Sequence, residues 1–159
     1  MRVSKRFPLA VHCLLFVAVL SPRRRATSAL VAQSTGSNPV TVRNLFLKLA
    51  QGGLLAASAG KNGGVELARP PRDITLWDIY RAVELAEAEK IFNMYEGSDG
   101  CPVGRNFYQV LRPHMVSAAM AMEADMARVT LESLLGELTM LLKAPPEGKC
   151  GEDLPQIEQ

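Results

Sequence analysis

The chain has 159 residues, 48% of them hydrophobic and 21% charged, which suits one globular domain with an added element for self-association and excludes two enzyme domains or a wholly disordered chain. Three cysteines, an odd number without regular spacing, exclude a secreted disulfide framework. The net charge of +2 hides a split: residues 1–72 carry 11 Lys and Arg against the single acid Glu66, and residues 73–159 carry 7 against 15 Asp and Glu, so a polyanion-binding module is joined to something with another task.

The first residues admit two readings. A basic start through Arg6, an apolar run from Phe7 to Leu20 and small residues at Ala26, Ser28 and Ala29 outline a secretory signal. The run is too short to span a bilayer, and Pro8, His12 and Arg23-Arg24-Arg25 fit a signal poorly. The other reading is a buried first helix with Ser4 at its cap and Pro8 in its first turn.

From Thr27 the pattern is that of two short helices. Thr27 can cap a helix to Ser34 with Leu30 and Val31 inward beside Ala32, and Thr35-Gly36-Ser37 makes a tight turn. Asn38 as cap and Pro39 as first helical residue open a second helix that ends at Gly52-Gly53, with Val42, Leu45, Phe46 and Leu49 as its apolar face. Small Ala32, Gly36 four residues on, and Val42 with Leu45 are the spacing of a DNA-binding helix-turn-helix. A structural helical hairpin would share that spacing. In the DNA-binding geometry Ser37, Asn38, Thr41, Arg43 and Asn44 reach base edges, and Thr27 and Ser28 hold a phosphate at a helix N-terminus.

Apolar Leu54–Ser58 and Val65–Arg69 flank the glycine-rich Ala59–Gly64, a β-hairpin pattern with Lys61 and Asn62 at its tip. Directly after a recognition helix such a hairpin is a wing, suited to phosphate or minor-groove contact. From Ile74 the chain turns acidic. Thr75 caps a helix through Ile79, Tyr80 and Val83, with Trp77 in the core and Asp78 at the capping-box position. A loop through Cys101 leads to a short helix from about Val103 to Leu111, and Pro113 begins another. Along that one Met115, Ala119, Met122, Met126 and Val129 step by 4, 3, 4 and 3, a seam for a second helix or for the chain's own core. Thr130 caps a last helix to about Lys143, and residues 144–159 read as a disordered tail.

Taken together, Ser4-Lys-Arg-Phe with Ala10-Val-His, Thr35-Gly-Ser-Asn-Pro-Val-Thr-Val-Arg43, Gly60-Lys-Asn-Gly-Gly with Leu67-Ala-Arg-Pro-Pro71, Ile74-Thr-Leu-Trp-Asp-Ile-Tyr-Arg-Ala-Val-Glu84 and Cys101-Pro-Val-Gly104 resemble the Rrf-two (Rrf2) family of winged-helix transcriptional regulators. The resemblance makes Phe7–Leu20 the first helix of a DNA-binding domain and favours the methionine seam as a contact between two subunits, which a two-fold operator also needs. Within the family the chain is most similar to the YwnA-like branch, which carries one cysteine where cluster-binding members carry three. With Cys101 alone in that region, no iron-sulfur cluster or other cofactor is expected.

Cys13 reads as a buried small hydrophobe, and Cys101, before a helix start and near Arg105 and Asp99, as a candidate redox sensor, with Cys150 as a resolving partner. Neither His12 nor His114 has a catalytic or metal-ligating partner at an informative spacing, so no enzyme and no metal site are expected. The expected fold is mainly α with a small β-hairpin wing: a winged helix-turn-helix over residues 1–84, a sensing loop and dimerisation region over 85–143, and the tail. The expected function is a cytoplasmic homodimeric repressor that binds double-stranded DNA, away from any membrane. Arg23, Arg24, Arg25, Lys48 and Lys61 are to hold phosphates, and Asn38, Thr41, Arg43 and Asn44 to read bases. The other reading is an exported or membrane-associated helical interaction protein with residues 1–25 as its signal.

Overall fold

The computed structural model describes residues 4–20, 25–58, 60, 63–84, 92, 95, 97, 98 and 100–143. In chain order they form α1 (Arg6–Leu20), α2 (Ser28–Thr35), α3 (Pro39–Gln51), β1 (Leu55–Ser58), β2 (Gly64–Leu67), a 3-10 turn (Pro71–Asp73), α4 (Leu76–Val83), α5 (Pro102–Met126) and α6 (Leu131–Lys143). This is a mainly helical fold with one antiparallel hairpin, in which Leu55 pairs with Leu67 and Ser58 with Gly64.

The apolar run of α1 folds as the middle of the core. Ala10, Cys13, Leu14, Val17 and Leu20 are buried, and the helix packs against α2, α3, α4, α6 and β2. The Ser4 hydroxyl accepts the Arg6 N–H at 3.2 Å, and Pro8 sits in the first turn, where no intrahelical donor is needed. A signal segment would stand apart from such a core, so the exported reading is not favoured. Among the described residues no helix is long and apolar enough to cross a membrane.

At α4, Thr75 forms the reciprocal capping box with Asp78. Trp77 is buried, but it stacks on Tyr80 at 5.5 Å and lies outside the main apolar cluster. Tyr80 in turn meets the edge of Phe7 on α1 at 5.6 Å.

The expected break at Pro113 does not occur. α5 is one 25-residue helix with Pro113 inside it. Proline's fixed φ suits a helix, and what is lost is the bond to the carbonyl of Gln109, so flanking turns carry the helix through. Along the methionine stripe of α5, Ala119 is buried within the single chain and Met115, Met122, Met126 and Val129 are half-buried. The large apolar residues that α5 leaves exposed are Val103, Val110 and Met120.

After α5 the chain returns to the winged helix. The Leu76 N–H donates to the Val129 carbonyl at 2.9 Å and the Leu131 N–H to the Ile74 carbonyl at 2.8 Å, bridging Thr75 and Thr130. Leu131 is fully buried in the same cluster as Leu14, Leu49 and Ile79. α6 therefore shares one core with α1 to α4.

Candidate nucleic-acid interface

α2 and α3 are set by local chemistry. The Thr27 hydroxyl accepts the Leu30 N–H at 3.3 Å and opens α2. Gly36 ends it in the left-handed region at φ 63°, donating to the Ala32 carbonyl, and the Ser37 N–H reaches the same oxygen at 3.1 Å. Asn38 then starts α3: its Oδ1 accepts the Val40 N–H at 2.8 Å, with Pro39 in the first helical position. Val42, Leu45, Phe46 and Leu49 are buried, so the opposite face of α3 is turned to solvent.

On that face Thr41, Arg43 and Asn44 are exposed, as is Asn38 at its head, whereas Ser37 is half-buried. The cap constrains Asn38. Its carbonyl oxygen is spent on the helix, so reading an adenine with both amide atoms would cost the cap. Arg43 and Asn44, whose side chains leave the middle of the helix, carry no such duty in the hydrogen bonds described here. Two apolar residues escaped the sequence reading: Val40 and Leu47 are 56% and 59% exposed on this helix. Their spacing around Asn44, four before and three after, was the available signal, and exposed apolar groups there suit thymine methyls.

Of the residues expected to hold phosphates, Thr27 is exposed and Ser28 half-buried at the opening of α2. Lys48 is committed differently: its Nζ donates to the Val83 carbonyl at 3.2 Å, because the last turn of α3 packs beside the end of α4. Arg25 likewise has a protein partner, donating through Nε and Nη2 to the two carboxylate oxygens of Glu66, each at 3.3 Å. Arg23, Arg24, Lys61 and Asn62 lie outside the described residues. The hairpin that carries the last two is built as expected, and the Gly63 N–H closes its connection on the Gly60 carbonyl at 2.8 Å.

The wing is also tied to the helix pair. Ala26 exchanges backbone hydrogen bonds with Val65, at 3.1 and 2.8 Å, so the residue before the Thr27 cap acts as a one-residue third strand. Gly64 permits this, since a Cβ there would stand 2.7 Å from the Ala26 carbonyl oxygen.

Away from this surface, Cys101 is exposed and is the N-cap residue of α5. The backbone N–H groups of Gly104 and Val103 lower its thiol pKa from the ordinary value. Cys13 is the opposite case, its pKa pushed up to about 12 by burial. Cys150, Asp99 and the tail lie outside the described residues.

Residues 3–137 match the family model Rrf2, described as an iron-dependent transcriptional regulator. YwnA of Bacillus subtilis, named as an HTH-type transcriptional regulator, is 31% identical over 137 residues, covering 86% of this chain and 98% of YwnA. Among solved structures, a protein from Lactobacillus plantarum named as a transcriptional regulator superposes with a TM-score of 0.72 at 27% identity, covering 84% of this chain and 89% of its own. IscR of T. potens gives 0.69 at 21%, covering 92% and 94%, a likeness of fold. Among the described residues no group of three or more His, Cys, Asp or Glu could hold a metal; Cys13 keeps its proton inside the core and Cys101 stands on the surface.

Proposed function

The chain belongs to the Rrf2 family of transcriptional regulators, and from that premise we propose that it is a sequence-specific, homodimeric repressor that lays α3 in the major groove. The observation that carries this reading is the two-sided build of α3, whose inner face is buried while Thr41, Arg43 and Asn44 stand exposed beyond a capped N-terminus. Arg43 pairs bidentately with a guanine and Asn44 with an adenine, Val40 and Leu47 meet thymine methyls, and Thr27 with Ser28 holds a phosphate at the start of α2. Lys61 and Asn62 extend the same role to the wing, and Lys48 adds charge at the helix end. Two copies present two α3 helices to a two-fold operator, with α5 as the joining element.

Selection of bound duplexes from a random pool by the purified protein tests the DNA reading. Arg43→Ala then costs roughly 1–3 kcal/mol on the selected duplex and relaxes preference at one base position. Equal losses on the selected and random duplexes would remove Arg43 from base reading.

In the same proposal Cys101 is the sensing group and no iron-sulfur cluster takes part. A peroxide converts its thiolate to a sulfenic acid, with the peroxide oxygen transferred to sulfur and hydroxide released. The lowered pKa and exposure of Cys101 support it, since the thiolate is the reacting form. Cys101→Ser holds DNA through a peroxide treatment that releases the parent protein. Equal release by both would exclude Cys101.

A further inference from the structure

Glu66 is the single acid among residues 1–72, and it stands on β2 in the wing. The backbone delivers its partner. With Ala26 and Val65 bridged in antiparallel register, the next residues outward, Arg25 and Glu66, face each other across the strands. Arg25 uses its Nε and Nη2 edge, gripping both carboxylate oxygens at 3.3 Å, while both side chains remain about two-fifths exposed. An ion pair this exposed adds little to stability, so its main effect is on what Arg25 is free to grip. The edge it occupies is the one with which an arginine grips a phosphate bidentately. Arg25 also lies two residues before Thr27, where the opening of α2 offers backbone donors to a phosphate.

We infer that Glu66 restrains DNA binding by occupying Arg25. The carboxylate holds the phosphate-gripping edge against the wing, lowering affinity for DNA of any sequence. Base reading by α3 is untouched. The inference rests on the DNA-binding reading above and adds to it a residue that sets the sequence-independent part of affinity.

The test uses the full-length protein, a random-sequence duplex and the selected duplex, titrated across a range of salt. Glu66→Gln keeps the shape and removes the charge. It raises affinity for both duplexes roughly fivefold to tenfold near 0.1 M salt and steepens the logarithmic salt slope by about 0.9, the signature of one added phosphate contact. Arg25→Ala alone changes little, because that arginine is already occupied, and in the Arg25→Ala background Glu66→Gln yields no gain. A loss of affinity in Glu66→Gln would mean that Glu66 positions Arg25 for DNA and would overturn the inference. So would a gain that persists without Arg25, since it would be a charge effect at a distance. A substantial loss in Arg25→Ala alone, with Glu66 intact, would show that the arginine already grips phosphate. If the parent protein binds neither duplex, the DNA-binding reading itself fails.

Discussion

Two thiols in this chain are pulled in opposite directions by where the backbone puts them. Cys13 faces the centre of the core and burial raises its pKa to about 12, while Cys101 caps a helix and the first-turn amides lower its own. Alkylation followed by peptide mapping separates them: in the native protein Cys101 reacts at a lower pH than an ordinary thiol, and Cys13 reacts only after unfolding. The sign for stability follows from proton binding. Cys13 keeps its proton in the fold and loses it in the unfolded chain near pH 9, so stability is fully present below that pH and is lost as pH rises toward about 12. Urea midpoints at pH 8 and pH 10.5 therefore fall for the parent and fall less for Cys13→Ala. Both thiol environments were legible from sequence, one from the apolar run and the other from a polar loop just before a helix start. The commitments of Arg25 and Lys48 were not. Each looks like a free polar side chain in a list of residues, and only the bridge at Ala26 and the approach of α4 assign their hydrogen bonds elsewhere.

Elements were easiest to read where a cap and a period agree. α3 is the clearest case, with Asn38, Pro39 and the buried stripe all falling where their chemistry predicts. α5 was misread because proline is a strong breaker on average but tolerable where φ already suits the helix. Packing between elements has its own requirement at Gly52, where a Cβ would come 2.8 Å from the Cβ of Ala82 on α4. Gly52→Ala costs about 1–3 kcal/mol by overpacking. Adding Ala82→Gly recovers part of that loss in a double-mutant cycle followed by urea unfolding, although glycine inside α4 costs about 1 kcal/mol by itself. Additive losses would mean that the two residues do not meet in solution.

Over the whole molecule, the first and last described helices belong to one folding unit. Leu131 is more than forty residues beyond α4 in the chain yet fully buried in the core beneath the winged helix. Leu131→Ala is expected to cost about 2–5 kcal/mol and to unfold α1 to α4 together with α6, visible as a single earlier thermal transition. Two separate transitions would contradict a shared core. Charge acts at the same scale: with its excess of Lys and Arg confined to residues 1–72, the protein should lose DNA affinity steeply as salt rises. By itself the sequence determined the elements other than the unbroken α5, the caps, the buried stripe of α3 and the uneven charge, because these depend on residues a few positions apart. It also carried the family likeness. The tertiary structure alone decided which basic side chains are already occupied and that α6 closes the core, because each depends on groups brought together by folding from distant positions.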